Sequence, residues 1–130
     1  MDKIIFGNYE LTTLVALTDE EQRRGLMHVS WPPPVMSFPY ESAKIHKFWM
    51  KNTVCPLDIV FCRNGKVISV MDGEPLSLRH IGPDIPSDLV VELPKGMAQH
   101  LDIVQGTSTK LICGLFTLAK KLELKMLKKC

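Results

Sequence analysis

The chain has 130 residues, enough for one domain that buries roughly two thirds of the surface of its unfolded form. Its 45% hydrophobic and 23% charged residues argue against both a disordered and a membrane-embedded chain. The net charge of +2 is uneven, because residues 110–130 carry six lysines and one glutamate and the rest is slightly acidic. Binding of nucleic acid by the body of the protein is therefore not expected.

Targeting and metal-binding signals are weak. No run approaches the roughly 20 apolar residues of a spanning helix. The apolar cluster near the N-terminus is too short for a signal-peptide core, so we expect a cytoplasmic protein. The scattered histidines predict no metal site, and no cofactor is expected. The cysteines lack zinc or redox spacing and are expected to be mainly buried free thiols, with a Cys55–Cys62 disulfide as the alternative in an exported protein: Cys55, Cys62, Cys113 and Cys130.

The first third of the chain predicts strands and one helix. Residues 3–6 and 9–17 are rich in β-branched and aromatic residues around a glycine turn, and the second strand is expected to be long and central. Thr18 and Glu21 form a capping-box pattern that begins a short helix over residues 19–24. Gly25 is suited to end that helix. Three prolines after Trp31 predict an extended surface connection.

Residues 36–38 are expected to resume a strand, followed by an exposed connection over 40–47. Residues 48–61 hold the highest concentration of large side chains. Read as a strand, 48–51 place Phe48 and Met50 on one face and Trp49 and Lys51 on the other.

Alternation over residues 57–62 sends Leu57, Ile59 and Phe61 to the core and their neighbours to the opposite side. Asn64 and Gly65 then predict a type I′ hairpin turn into a strand over 67–71. The remaining body is expected to hold an irregular loop over residues 76–88 and a strand over 89–93. One or two helical turns over 95–101 and a last strand over 109–113 are expected to follow.

The C-terminal residues change character. Their apolar side chains recur at helical spacing with lysines on the far side, although a strand is also compatible with residues 122–126. We therefore divide the chain into a single β domain over 1–113 and a basic amphipathic extension over 114–130. The extension is expected to dock on a protein partner or a second copy, and a membrane surface is a less favoured alternative. The residues expected to dock are Leu115, Leu118, Leu122, Met126, Lys121 and Lys125.

Several segments, in order, resemble domain of unknown function 192 (uncharacterised protein family 0127) over roughly residues 10–111. They are Arg-Gly-Leu-Met at 24–27, Phe-Trp-Met-Lys-Asn-Thr at 48–53, Pro-Leu-Asp-Ile-Val-Phe at 56–61, Asn-Gly-Lys-Val at 64–67 and Val-Glu-Leu-Pro-Lys-Gly at 91–96. The resemblance implies a mainly β fold, a compact antiparallel β-sandwich or barrel of jelly-roll type. One or two short helices and the C-terminal amphipathic helix would complete it. No settled activity comes with the family.

Five polar or aromatic residues in the matched segments are candidate ligand or partner contacts: Trp49, Lys51, Asn52, Asp58 and Glu92. If they converge, they suit a small polar or carbohydrate-like ligand, with stacking on the indole and hydrogen bonds from the rest. The two carboxylates could also act as a general acid and base. The alternative is structural, with both acids bound to loop amides or basic side chains. No serine or cysteine shows a nucleophile-and-base pattern, so we assign no catalytic residue.

Three function classes follow. The leading prediction is a non-enzymatic binding or assembly module, for example a structural component of a virus particle, whose tail docks on a partner. The alternatives are a small-ligand-binding domain and a hydrolase of unrecognised type.

Overall fold

The computed structural model describes residues 1–129, so Cys130 lies outside the described residues. The chain is mainly β, with a long helix at its C-terminal end. In chain order the elements are β1 (Lys3–Phe6), β2 (Tyr9–Thr12), β3 (Leu14–Val15), α1 (Asp19–Arg24), β4 (Met36–Lys44), β5 (Leu57–Arg63), β6 (Lys66–Gly73), β7 (Ser87–Pro94), α2 (Met97–His100), β8 (Thr109–Ile112) and α3 (Leu115–Lys129).

The strands form two sheets. The smaller has the order β2-β1-β8, and the larger has the order β3-β4-β7-β5-β6. Neighbouring strands are antiparallel except β3 and β4, which run parallel. The mainly β class and the C-terminal helix agree with the sequence prediction. Within the described residues the strands do not close into a barrel, so the barrel form of that prediction is wrong.

Strand β5 is buried on both faces and separates two apolar clusters. Its residues Leu57, Ile59 and Phe61 belong to one cluster, together with Phe38 and Met50. The opposite face contributes to a second cluster, which includes side chains of the smaller sheet and of α2: Val60, Cys62, Ile4, Phe6 and Ala98. The predicted alternation is correct, but the second face is also core because the smaller sheet and α2 cover it.

The long strand predicted over residues 9–17 is wrong, because the chain changes sheets at Thr13. The Thr13 amide donates to the Asp2 carbonyl beside the smaller sheet, and the next amide, of Leu14, donates to Val35 in the larger one. The buried Thr13 hydroxyl is hydrogen-bonded to the Ser37 hydroxyl at 2.8 Å, which fixes the crossing. Both resulting strands are edge strands rather than central ones.

Two further expectations around residue 45 need correction. Strand β4 runs to Lys44 because it pairs with β7 as far as Ser87, across an irregularity after Pro39. Residues 48–51 belong to no strand and contribute only a bridge, in which the amides of Phe48 and Ile81 each donate to the carbonyl of the other residue. The chain then turns at Asn52, whose φ is 55°.

The local turn and capping predictions are confirmed. Asn64 and Gly65 have φ of 50° and 74°, as the turn between β5 and β6 requires. The Thr18 hydroxyl accepts from the Glu21 amide, and the Glu21 carboxylate accepts from the Thr18 amide. Cys55 and Cys62 are buried free thiols, and Cys113 is a partly buried one.

Helix α3 is joined to the body near its N-terminal end. The Asp2 carboxylate accepts from the Gly114 amide and from the Thr117 hydroxyl, both at 2.7 Å. One turn further, Lys120 forms an ion pair with Glu21 of α1 at 3.3 Å. No helix within residues 1–129 is both long enough and apolar enough to cross a membrane.

Candidate functional site

A cavity of about 190 Å³ lies between α1, β4, β7 and the segment after β4. Its walls combine aromatic rings with polar and basic side chains. The lining residues that matter for its chemistry are Arg23, Arg24, Tyr40, His46, Phe48, Trp49 and Glu92.

Glu92 is the buried acid of this cavity. It lies on β7 opposite Ile59 of β5 and Met36 of β4, so it shares the face of the sheet that carries Phe38 and Phe61. The side chain is 4% exposed, and its Oε1 has no hydrogen-bond partner. Burial raises the pKa of Glu92 to about 8, so the carboxyl is largely protonated at neutral pH.

A glycine allows α1 to end directly over this carboxyl. Gly25 ends the helix at a φ of 49°, a conformation that residues with a side chain adopt at a cost. A β-carbon at this position would lie 3.5 Å from Glu92 Oε1 and 3.6 Å from the Phe38 ring. The helix end therefore forms a close cover over one side of the carboxyl.

His46 supplies a second buried polar atom. Its ring stacks on Tyr40 with the ring centroids 3.6 Å apart, and its Nε2 is buried without a hydrogen-bond partner. Burial, assisted by the Lys44 charge, lowers the pKa of His46, while a hydrogen bond to the backbone of Ser87 acts in the opposite direction. The lowered pKa of His46 favours the neutral imidazole. Since Nδ1 makes the bond to Ser87, Nε2 has a free lone pair.

Trp49 stands at the edge of the cavity and is 40% exposed. The ammonium of Lys51 lies 5.1 Å from the centre of its ring, and His80 contacts it edge-on with the centroids 6.1 Å apart. These two neighbours occupy part of the indole surface. Trp49 is thus a side wall with limited area for stacking a ligand.

The basic side chains of the cavity differ in whether they already have a hydrogen-bond or ion-pair partner. Lys47 donates to the Gly82 carbonyl and forms an ion pair with Asp84 at 2.8 Å. Arg23 and Arg24 are exposed at the last turn of α1, and neither makes a side-chain hydrogen bond or ion pair within residues 1–129. Two guanidinium groups at the cavity are consequently available to a ligand.

Asp58 faces away from this cavity. It lies opposite Leu93, on the face of the sheet covered by α2, and is 5% exposed. Its Oδ2 accepts from the amides of Gly96 and Ala98 at 3.0 Å each, and Lys95 Nζ lies 3.8 Å from its Oδ1. This carboxylate stabilises the first turn of α2. Asp58 therefore has the structural role, an acid bound to backbone amides, that was the alternative to ligand binding.

The five candidate residues therefore do not converge. Trp49 and Glu92 share the cavity, and Asp58 occupies the opposite face of the sheet. The Lys51 ammonium lies over the Trp49 ring, and Asn52 forms the adjacent turn, where its carbonyl accepts from the His28 amide at 2.8 Å. Neither Lys51 nor Asn52 lines the cavity.

Sequence reasoning missed Tyr40, His46 and the two arginines. The signal for Tyr40 is the alternation that continues from Phe38, because both rings lie on the Glu92 face of β4. No sequence signal placed His46 there, because the β4 irregularity after Pro39 determines where the chain leaves the sheet.

The tail residues lie apart from this cavity. Leu118, Leu122, Lys121 and Lys125 line an open groove of about 730 Å³ between α3 and β4. Leu115 is 87% exposed and Met126 is 62% exposed. Within residues 1–129 no three potential metal-binding side chains lie close together.

The comparisons with known proteins agree with this fold. The family model of domain of unknown function 192, described as an uncharacterized ACR, matches residues 4–111. No curated protein sequence matches the chain. A crystal structure of a protein of unknown function from Novosphingobium aromaticivorans is 26% identical, with a TM-score of 0.78 and 83% of each chain covered. A structure from Sinorhizobium meliloti, described as a "putative transcription regulator", is 24% identical over 85% of this chain and 94% of the other, with a TM-score of 0.77.

Proposed function

Because the chain belongs to the domain of unknown function 192 family, which has no assigned activity, we propose its function from the cavity: it is a non-enzymatic domain that binds a small polar ligand beside Glu92. The observation that carries the proposal is the pair of buried polar atoms without partners, Glu92 Oε1 and His46 Nε2, in the walls of one cavity.

Such atoms are costly in a scaffold. A buried polar group without a hydrogen bond costs about 1–3 kcal/mol, and most buried groups in folded proteins are paired. Among the residues described, only one further buried side-chain atom, Ser87 Oγ, is in this state, and Ser87 does not line the cavity. Two of three such atoms in one cavity suggest that a ligand supplies their partners.

The dimensions favour a small ligand. The cavity volume of about 190 Å³ is below the roughly 300–1,000 Å³ of pockets for drug-sized molecules. Tyr40, Phe48 and Trp49 supply apolar wall area, while Glu92 and His46 supply hydrogen-bonding atoms. A carbohydrate-like or other polar molecule of monosaccharide size or less fits this combination.

Binding at this cavity is expected to appear in a ¹⁵N NMR screen against monosaccharides, polyols, small amines, carboxylic acids and amino acids. A binder should shift the backbone amides of residues 24–26, 46–49 and 91–93, and Glu92→Leu should remove the shifts because it deletes the buried polar group. Glu41→Gln, at an exposed position on β4 outside the cavity lining, serves as the control and should retain them. Shifts confined to other surfaces, or none with any compound, would contradict the proposal. Turnover of a bound compound would instead support the hydrolase alternative.

A second candidate function is assembly through α3. Along this helix Leu115, Phe116 and Leu122 are largely exposed, and the open groove separates its middle from β4. An amphipathic helix with apolar side chains in water is typical of a segment that packs on a partner or a second copy. Under this second candidate function, the chain would be a structural component of a larger assembly, such as a virus particle.

Self-association through α3 is expected to make the full chain elute as an oligomer in size-exclusion chromatography with light scattering. A chain ending at Cys113 should be monomeric because it lacks the apolar side chains of the helix. Phe116→Ser with Leu122→Ser should have the same effect with the helix retained, whereas Glu123→Ser, at an exposed α3 position outside the groove, is the matched control. Monomeric elution of the full chain at all concentrations would rule out self-association.

A further inference from the structure

We propose that the ligand of the Glu92 cavity is a small zwitterion of the amino-acid type, bound with its ammonium group against Glu92 and His46 and its carboxylate against Arg23 and Arg24. This inference rests on the proposed ligand-binding function and names the ligand class of the same site.

The inner end of the cavity requires a donor. His46 Nε2 presents a lone pair, because the other ring nitrogen is bound to the backbone of Ser87. An anionic group cannot donate to this atom. An ammonium group carries three N–H donors, which is enough for both His46 Nε2 and Glu92 Oε1, the two unpaired atoms of this cavity.

The aromatic walls suit the same group. Tyr40 and Phe48 line the cavity beside Glu92, and Trp49 stands at its edge. The faces of aromatic rings attract cations, and the attraction is larger where water is excluded. A carboxyl flanked by aromatic rings is therefore a favourable environment for an alkylammonium group.

The exposed side of the cavity carries positive charge. Arg23 and Arg24 are exposed and free of partners within the described residues, and guanidinium groups bind carboxylates with two parallel hydrogen bonds. The arginines would oppose a simple cation but complement a ligand that carries a carboxylate next to its ammonium. The lining thus combines an acid at the buried side with bases at the exposed side.

Binding of the ligand with its ammonium group beside Glu92 should change the number of protons that the protein holds, and this number can be measured. At pH 7 Glu92 is largely protonated, and an ammonium group favours its carboxylate form. The complex with an ammonium ligand should therefore release close to one proton to solvent per ligand bound. The other titratable side chains that face the cavity come from α1, β4 and the following segment: Arg23, Arg24, Tyr40, His46 and Lys47.

The test uses a deletion series built on one probe, L-alanine. Propionate lacks its ammonium group, ethylamine lacks its carboxylate, and propionamide is an uncharged analogue. With the full chain, calorimetry and ¹⁵N NMR should show that L-alanine binds about tenfold or more tighter than each fragment, as expected for the loss of a hydrogen-bonded charged group. Calorimetry in two buffers with different ionisation enthalpies should show release of close to one proton.

Two variants test which residues bind the ammonium group and which bind the carboxylate of the ligand. Glu92→Gln should weaken L-alanine and ethylamine but change propionate little, and should abolish the proton release. Arg23→Gln with Arg24→Gln, at exposed positions where folding is not at risk, should reduce the affinity for L-alanine to that for ethylamine. Tightest binding of propionate or propionamide at the cavity would overturn the zwitterion inference and leave the ligand-binding function standing. Absence of cavity shifts with all four probes would overturn the zwitterion inference alone, whereas absence of shifts with every compound of the wider screen would overturn both.

Discussion

Replacement of Asp58 by alanine is expected to lower the free energy of unfolding by about 2–4 kcal/mol, without loss of binding at the Glu92 cavity. The side chain is 5% exposed and accepts from the amides of Gly96 and Ala98, so alanine leaves two amides at the start of α2 without their acceptor. Asp58→Asn keeps one acceptor oxygen and should cost less. Denaturant unfolding measures the loss, and NMR of the variant measures whether the cavity still binds.

The matched control is Asp72→Ala. Asp72 lies opposite Asp58 in the β5–β6 register and is hydrogen-bonded to the same lysine, Lys95, but it is exposed. Exposed ion pairs contribute about 0–1 kcal/mol, so this variant should change stability little. Equal losses in the two variants would show that the ion pair with Lys95, rather than the capping of α2, accounts for the stabilisation.

Glu92→Gln is expected to change the pH dependence of stability. The pKa of Glu92 is about 8 in the folded chain against an ordinary value of 4.5, because burial disfavours the charged form. The folded state therefore binds one more proton than the unfolded state between these two values. The stability from this group is complete below about pH 4.5 and is lost as the pH rises through about 8, with a slope of about 1.4 kcal/mol per pH unit.

The glutamine variant lacks this titration. The unfolding free energy of the natural chain should therefore fall relative to that of Glu92→Gln by several kcal/mol between pH 5 and 8, as measured by denaturant unfolding. The difference between the two proteins isolates Glu92 from other groups, including His46, whose lowered pKa gives stability the opposite pH dependence. Glu74→Gln, at an exposed position, should run parallel to the natural chain. Parallel curves for Glu92→Gln would contradict a buried, protonated carboxyl.

Local signals in the sequence predict local structure well. The capping box at Thr18, the glycine at the end of α1 and the Asn64 turn each depend on the backbone and side chains of a few adjacent residues. The alternation along β5 correctly separates Leu57 from Asp58. The apolar Val60 and Cys62 on the second face are consistent with a strand buried on both sides, but which elements cover that face depends on residues distant in the chain, in the smaller sheet and α2.

The candidate site was only partly predictable because it depends on pairing between strands that are distant in the chain. Trp49 and Glu92 belong to the cavity, but the orientation of Glu92 opposite to Asp58 depends on which residues pair between β5 and β7. A shift of one residue in this register would exchange the faces. His46 enters the site only because β4 is irregular after Pro39 and the chain returns over Tyr40.

The central sheet divides the molecule into two compartments that share strands β5 and β7. The cluster with Phe38 and Phe61 lies beneath the cavity, and the cluster with Ile4 and Val60 lies on the far side. Each cluster has its own set of side chains, so a substitution in one alters packing on one face of the sheet only. Substitutions of Ile4 or Val60 should therefore lower stability through the far cluster while the residues that line the cavity keep their arrangement.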